Sequence, residues 1–535
     1  MMKKTIKKLL AALLAVAMVC AMAIPAFAGT EGDITTWHSF SAFQIFKGKV
    51  EGNDIKDFKI SNVEWGSNID PDNFLPQLKG ADTIGPLFTK ANSAQDVLAV
   101  ISQWNNSDAN SIAFARFVCH YLYPDANAKP KPAVEDGSDH IHFDEAGYYL
   151  VVDTTPFNPG DFDHAYNSFL LMVTHDNWNV PITPKAEKPS VKKEVFDNFD
   201  NQDGTSTGDF GSSADHAINE KFQFKLTATL PASTDHAYDY YDTYAVCFKD
   251  TLSEGITYDG PDSVVIKSNN NTHDTTIDPS KYTIDTKNLE TQNYFEVNIH
   301  DVKACAKDAG FDLNDGATIT FTYTAHLNDK AYVNTGSGST DNKNSVQLKY
   351  SNNPRPGDYW GTTPKSEVYV YTYQLNNTKY RDDAKEGNEL AGAGFHLYSD
   401  EECKNEVELY QKDGFYFPIK DSTDKDKEPV AMFSDNKGQF NVKGLDAGTY
   451  YLRETNPPKD YSACDDKEIV ISATHDVNHV SLSGNLSTTI INKKTGGITL
   501  PSTGGIGTTI FYVVGGGLMV AAIVLLVTKK RMENK

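Results

Sequence analysis

The chain has 535 residues, with 49 Lys+Arg against 72 Asp+Glu and a net charge of −23. At about 150 residues per domain this length predicts three or four domains, and 28 Phe with 27 Tyr give enough apolar bulk to exclude a disordered chain. Without the basic ends, 1–28 and 504–535, the remainder holds 41 basic and 71 acidic residues, a net charge of −30. A surface that acidic repels phosphate backbones, so nucleic acid is excluded as a partner.

In chain order, Lys3, Lys4, Lys7 and Lys8 lead into an apolar run over 9–24 that ends in Ala26-Phe27-Ala28. A basic start, a short apolar core and a small-x-small site predict a secretory signal peptide cut after Ala28. Residues 29–186 read as mixed. Ser41-Ala-Phe-Gln-Ile-Phe46 and Gly147-Tyr-Tyr-Leu-Val-Val152 predict strands. Between them, Ser93 is placed to cap a helix carrying Val97, Leu98 and Ile101 on one face, and a second helix is expected from Ile112 to Leu122. His140 and His142 form a His-x-His pair, but no third ligand accompanies it, so no metal site is expected there. The four prolines of 181–189 mark a linker.

Residues 187–364 are strand-rich, with Asn, Asp and Gly at the turns. Side chains two apart share a strand face. Lys193 therefore lies with Val191 and Val195, Asp250 with Phe248 and Leu252, and Asn344 with Val346, Leu348 and Tyr350. The stretch from Asp197 to Gly204 has a calcium-loop composition, but Phe199 stands at the first-ligand position and excludes it. Residues 365–496 repeat the pattern. Leu375 and Lys379 share a face, as do Tyr450, Leu452 and Glu454, and likewise Leu486, Ile490 and Asn492. Each of these two segments thus points a Lys, an acid and an Asn towards its core, where an unpaired charge is very costly. An ion pair would neutralise the Lys and the acid but leaves the Asn unexplained. A covalent resolution accounts for all three. Burial lowers the pKa of Lys and raises that of a carboxylic acid. The neutral amine then attacks the Asn carboxamide, the protonated acid shuttles protons, and ammonia leaves.

The chain closes with Leu500-Pro501-Ser502-Thr503-Gly504, an apolar span at 510–527 long enough to cross a bilayer, and Lys529-Lys530-Arg531 on the cytoplasmic side. This three-part ending, within 497–535, has the form of a sortase sorting signal. The chain resembles an isopeptide-forming major pilin, the fimbrial backbone subunit of Gram-positive bacteria, and the likeness runs through nearly all of it. Leu390-Ala-Gly-Ala-Gly-Phe395, Tyr451-Leu-Arg-Glu454-Thr-Asn-Pro-Pro-Lys-Asp-Tyr461 and Ile491-Asn492-Lys493 are similar to the Cna-B-type domain. Asp250-Thr-Leu-Ser-Glu-Gly255 and Asn344-Ser-Val-Gln-Leu-Lys-Tyr350 are similar to the middle pilin domain. The resemblance implies three tandem immunoglobulin-like (Cna-type) β-sandwich domains, mainly β, at 29–186, 187–364 and 365–496, the first with helical insertions. It also implies Lys379–Asn492 and Lys193–Asn344 isopeptide bonds, formed with Glu454 and Asp250 as the catalytic acids. Trp178-Asn-Val-Pro-Ile-Thr-Pro-Lys185 is similar to the pilin motif, with Lys185 as the amine that accepts the acyl group of Thr503 from another copy.

The implied partners are further copies of the chain, pilus-class and housekeeping sortases, accessory pilins, peptidoglycan, and a host or matrix ligand. No cofactor and no metal is expected, and no motif of a turnover enzyme is present. In the first segment, aligning Tyr148-Tyr149-Leu150 on the Glu-bearing strand puts Val152 where the acid belongs and turns Asp153 outward, so no internal bond is expected there. Five Cys remain once Cys20 leaves with the signal peptide. Cys247 with Cys305, and Cys403 with Cys464, are the conceivable pairs. Two function classes stay open: a covalently polymerised pilus subunit, and a monomeric wall-anchored adhesin with the same domains. Lys185 is the residue that separates them.

Overall fold

The computed structural model describes residues 39–494, except 52–58, 105–107, 126, 137–139, 155–168, 174–177, 182–187, 199–207, 235, 271–273, 336–341, 356–359, 421–426, 477–478 and 485. The signal peptide with Ala28, Lys185, the Leu500-Pro501-Ser502-Thr503-Gly504 segment and the 510–527 span lie outside the described residues.

In the first unit, strands Phe40–Glu51 and Gly147–Asp153 pair at the centre of a five-stranded sheet. Phe43, Ile45, Leu150 and Val152 pack on one face with helices Pro71–Gly80, Ala94–Ile101 and Ala109–Leu122. Ser93 caps the second of these, its hydroxyl accepting from the Asp96 amide at 3.2 Å, while Val97, Leu98 and Ile101 are buried. Phe40, Ala42, Tyr149 and Val151 pack on the opposite face with Ile141 and Phe143, from the strand His140–Phe143 that pairs with Trp178–Pro181. A strand covered on both faces loses its polar side. All seven residues of Gly147–Asp153 are buried, including Asp153, which sequence parity had turned outward. His142 lies 3.5 Å from Asp144 and joins none of the metal-spaced clusters among the described residues.

The middle unit is two facing sheets around one core. In the first, Ala317–Leu327 lies between Ile256–Ser268 and Lys221–Leu230, and Ser190–Asp197 pairs beyond the latter. Lys221–Leu230 shows the period of two expected of a half-buried strand, with Phe222, Phe224, Leu226, Ala228 and Leu230 inward. In the second sheet, Val246–Leu252 lies between Lys343–Ser351 and Tyr294–Ile299. Strand Ser366–Tyr371 extends this sheet and passes through Thr372 into the last unit.

The last unit is a pair of five-stranded sheets. Tyr373–Arg381 lies between Val442–Leu445 and Ser487–Asn492, running parallel to the latter. Gly448–Asn456 lies opposite, between Gly394–Tyr398 and Lys467–Asp476. Close backbone contact joins this unit to the middle one. The Ile218 amide donates to the Gly444 carbonyl at 2.9 Å, and Asn219 Nδ2 donates to the Pro418 carbonyl at 3.1 Å. Gly444 has φ +82°, and a Cβ there would stand 2.6 Å from Ile218 Cδ1, so glycine meets both the conformation and the approach.

All five cysteines described are free thiols, which excludes the Cys247–Cys305 and Cys403–Cys464 pairs. Cys247 and Cys305 are apolar packing, and burial pushes their thiols up to about 12 and about 11, away from the reactive thiolate.

Candidate functional site

The polar residues that parity turned inward converge in two places. In the last unit, Lys379 comes from Tyr373–Arg381 and Asn492 from the parallel neighbour Ser487–Asn492, so both stand on one sheet. Glu454 reaches them from the facing sheet, where it pairs with Phe395. The three side chains are buried, Lys379 completely. Lys379 Nζ lies 2.5 Å from Asn492 Oδ1 and 3.3 Å from Glu454 Oε2, and Asn492 Nδ2 donates to Glu454 Oε1 at 2.7 Å. The Cys464 amide donates to Glu454 Oε2 at 2.8 Å, which fixes the carboxyl from behind. Lys379 Nζ also stands 5.2 Å from the centre of the Phe395 ring, itself stacked on Phe440 at 4.3 Å, and these rings keep the site dry. Desolvation holds the Lys379 amine below its ordinary pKa. Gly438 fits under this strand. With φ +72° it accepts from the Lys379 amide at 2.7 Å, and a Cβ there would lie 2.3 Å from the Lys379 carbonyl oxygen.

In the middle unit, Lys193 projects from Ser190–Asp197 in one sheet, while Asp250 and Asn344 project from adjacent strands of the other. Lys193, Asp250 and Asn344 are buried, whereas Lys192 is exposed and pairs with Glu194 at 2.6 Å. Lys193 Nζ contacts Asp250 Oδ2. Burial lowers the Lys193 amine to about 8 and raises the Asp250 carboxyl, so both groups are driven towards their neutral forms.

Sequence reasoning missed the residue that joins this cluster. Tyr323, inward on Ala317–Leu327, accepts from Lys193 Nζ at 3.2 Å, donates to Asp250 Oδ1 at 3.1 Å, and accepts from Asn344 Nδ2 at 2.5 Å. An inward tyrosine on an apolar strand reads as core. Its buried hydroxyl, which must find a partner, is the signal that could have marked it. Asn344 Oδ1 is buried with no hydrogen-bond partner, the one acceptor here left open to a donor. Chemically, both clusters bring a desolvated amine, a carboxyl and a carboxamide together where charge is costly.

In the first unit Val152 sits in the apolar core, as alignment on the acid-bearing strand predicts. The Asp153 carbonyl instead accepts from Asn353 Nδ2 at 3.1 Å, a contact to the middle unit.

Comparison with known proteins adds two family matches. Residues 374–485 match the SpaA family of prealbumin-like fold domains, and residues 492–534 match the LPXTG cell wall anchor motif. No curated relative matches the chain. Among solved structures, the T6 backbone pilin of serotype M6 Streptococcus pyogenes is 17% identical, over 86% of this chain and 96% of that one, with a TM-score of 0.48. A 35 kDa C-terminal fragment of the major pilin GBS80 of Streptococcus agalactiae is 21% identical, over 57% and 99%, with a TM-score of 0.40. The full-length major pilin SpaD of Corynebacterium diphtheriae is 18% identical, over 65% and 80%, with a TM-score of 0.39. The prealbumin-like domain that carries Lys379 and Glu454 leads at Asn492 directly into the anchor motif. The chain is therefore a cell-wall-anchored surface protein, and its resemblance to the sortase-processed major pilins stands.

Proposed function

We propose that the chain is the backbone subunit of a covalent surface fibre, stabilised inside each subunit by two self-formed Lys–Asn amide bonds. The observation that carries this reading is the Lys379–Glu454–Asn492 cluster, buried with its amine 2.5 Å from the carboxamide, in a domain that runs into a wall anchor. Within each cluster the neutral Lys Nζ attacks the Asn Cγ. The protonated acid polarises the carbonyl oxygen, and a proton passes to Nδ2. The C–N bond breaks, ammonia leaves, and the acid regains a proton from the new amide nitrogen. Glu454 serves Lys379 and Asn492; Asp250 serves Lys193 and Asn344.

Between subunits, a sortase thiolate displaces Gly504 from the Thr503 carbonyl, and the Lys185 amine of another copy displaces the thiol. The last link goes to peptidoglycan. Pilus-class and housekeeping sortases with accessory pilins are the partners of this scheme.

Mass spectrometry of the recombinant chain tests the internal bonds. Two are expected, each lowering the mass by about 17 Da as ammonia leaves, and an unmodified mass overturns them. Denaturing gels of wall extracts test polymerisation. A high-mass ladder that disappears in Lys185→Ala supports it. A single band in the wild type makes the chain a monomeric adhesin instead.

A further inference from the structure

Where strand Lys467–Asp476 meets the middle unit, the His475 ring is enclosed by residues far from it in sequence. Asp197 ends the strand Ser190–Asp197, and Asp215 lies in the short strand Ser213–Asp215. The side chains of Asp197, Asp215 and His475 are 3%, 11% and 13% exposed. We propose that these three residues form a binding site for one divalent transition cation of zinc-like coordination, shared between the middle and last units.

The spacing supports this. His475 Nε2 lies 3.4 Å from Asp197 Oδ2 and 3.6 Å from Asp215 Oδ1, and the three ligand atoms all fall within 4.8 Å of one another. Those separations are long for hydrogen bonds. A tetrahedral ion with bonds of about 2.0–2.1 Å sets its ligand atoms about 3.3–3.4 Å apart, so the two nitrogen–oxygen distances resemble the edges of a coordination shell.

The surrounding groups orient the ligands as outer-shell partners do. Ser213 Oγ holds His475 Nδ1 at 2.9 Å, which leaves Nε2 to face the carboxylates. The Tyr373 hydroxyl donates to Asp215 Oδ2 at 2.8 Å, so the other oxygen, Oδ1, turns to the site. Tyr371 stacks on the ring, with centroids 5.7 Å apart. One imidazole with two carboxylates suits zinc-like ions better than calcium or magnesium, which take oxygen ligands. Three protein ligands leave one position for water.

In the neighbouring cluster of His216, Glu220 and Asp446, His216 Nε2 meets the Phe196 carbonyl at 2.7 Å, and both Glu220 oxygens already accept, from Asn198 and Ala217, each at 3.1 Å. Sequence spacing could not reveal the Asp197–Asp215–His475 set, because 260 residues separate Asp215 from His475 and no local motif spans them. A cation bound there would run against the expectation that the chain holds no metal.

The test is thermal unfolding of the mature chain, stripped by chelator and titrated with ZnCl₂, with Mg²⁺ as control. A Zn²⁺-dependent rise in Tm of about 5 °C is expected, together with the visible absorption of tetrahedral Co²⁺ on substitution. His475→Phe keeps the stack on Tyr371 and should abolish both signals; Asp215→Asn keeps the Tyr373 contact and should weaken them. Intact mass and circular dichroism check that each variant folds. No Tm rise in the wild type overturns the site, and so does an equal rise in His475→Phe, which would place the ion at other histidines.

Discussion

Lys379 and Asn492 stand side by side on parallel strands of one sheet, and the acid arrives from the opposite sheet. Lys193 and Asn344 come from opposite sheets, the acid stands on a strand next to the Asn, and a tyrosine hydroxyl lies between amine and amide. The two clusters share residue types and burial but not topology. A bond in the last unit would clamp the first strand to the final one, where tension on the two chain ends shears them past each other. A bond in the middle unit would staple sheet to sheet. What the clusters require in common is local: a dry pocket in which a charged amine and a charged carboxylate are both penalised.

The largest effect expected of that difference concerns the last unit. Its bond would close a loop of 113 residues, and by the chain-entropy argument used for disulfides, closing a loop of about 100 residues is worth roughly 4–5 kcal/mol. Glu454→Gln keeps the size of the side chain but removes its acid. The expected product loses about 17 Da once rather than twice, and its last unit unfolds in denaturant before the other two. Retention of both mass losses would mean that Glu454 is not the acid.

Tyr323→Phe separates the two clusters kinetically. It preserves the ring contacts with Phe224 and Phe321 and deletes only the hydroxyl. If that hydroxyl relays protons between Asp250 and the Asn344 amide nitrogen, both of which it contacts, bond formation in the middle unit slows by roughly two orders of magnitude while the last unit keeps its rate. Peptide mapping of newly made protein over time reads the two bonds independently. Equal rates in wild type and variant would reduce Tyr323 to packing.

Much of this arrangement was legible from the sequence, because strand parity is a local rule. The alternation around Lys193, Asp250 and Asn344, and around Lys379, Glu454 and Asn492, turned each inward without knowledge of its neighbours, and the structure buries all six. The Ser93 helix cap was legible for the same reason. Features that depend on distant chain were not. Parity alone faces Asp153 outward, because the strand His140–Phe143 that covers its sheet is placed only by tertiary structure. Tyr323 was hidden by resembling its apolar neighbours. His475 carries no sequence signal, because the two aspartates beside it are brought there only by the fold.

The smallest expected effect is a pH dependence, and it sharpens the comparison by exposing the middle cluster unreacted. Asn344→Ala removes the carboxamide, so Lys193 and Asp250 stay titratable. Lys193 has a folded pKa of about 8 against an ordinary 10.5, because burial disfavours its charge. Between those two pH values the unfolded chain binds the extra proton, so stability rises with pH through that window and the full penalty is present below about pH 8. A shift of this size bounds the change at about 3 kcal/mol. Asp250 acts with the opposite sign at lower pH. Its carboxyl is raised by burial, so from its ordinary value of 3.8 upward the folded state holds the extra proton, and stability falls as pH rises towards the raised pKa. Denaturant midpoints from pH 4 to pH 10 should therefore fall and then rise in the variant. The wild type should lack that minimum, because a lysine nitrogen held in an amide no longer titrates. A matching minimum in the wild type would mean that Lys193 is still a free amine.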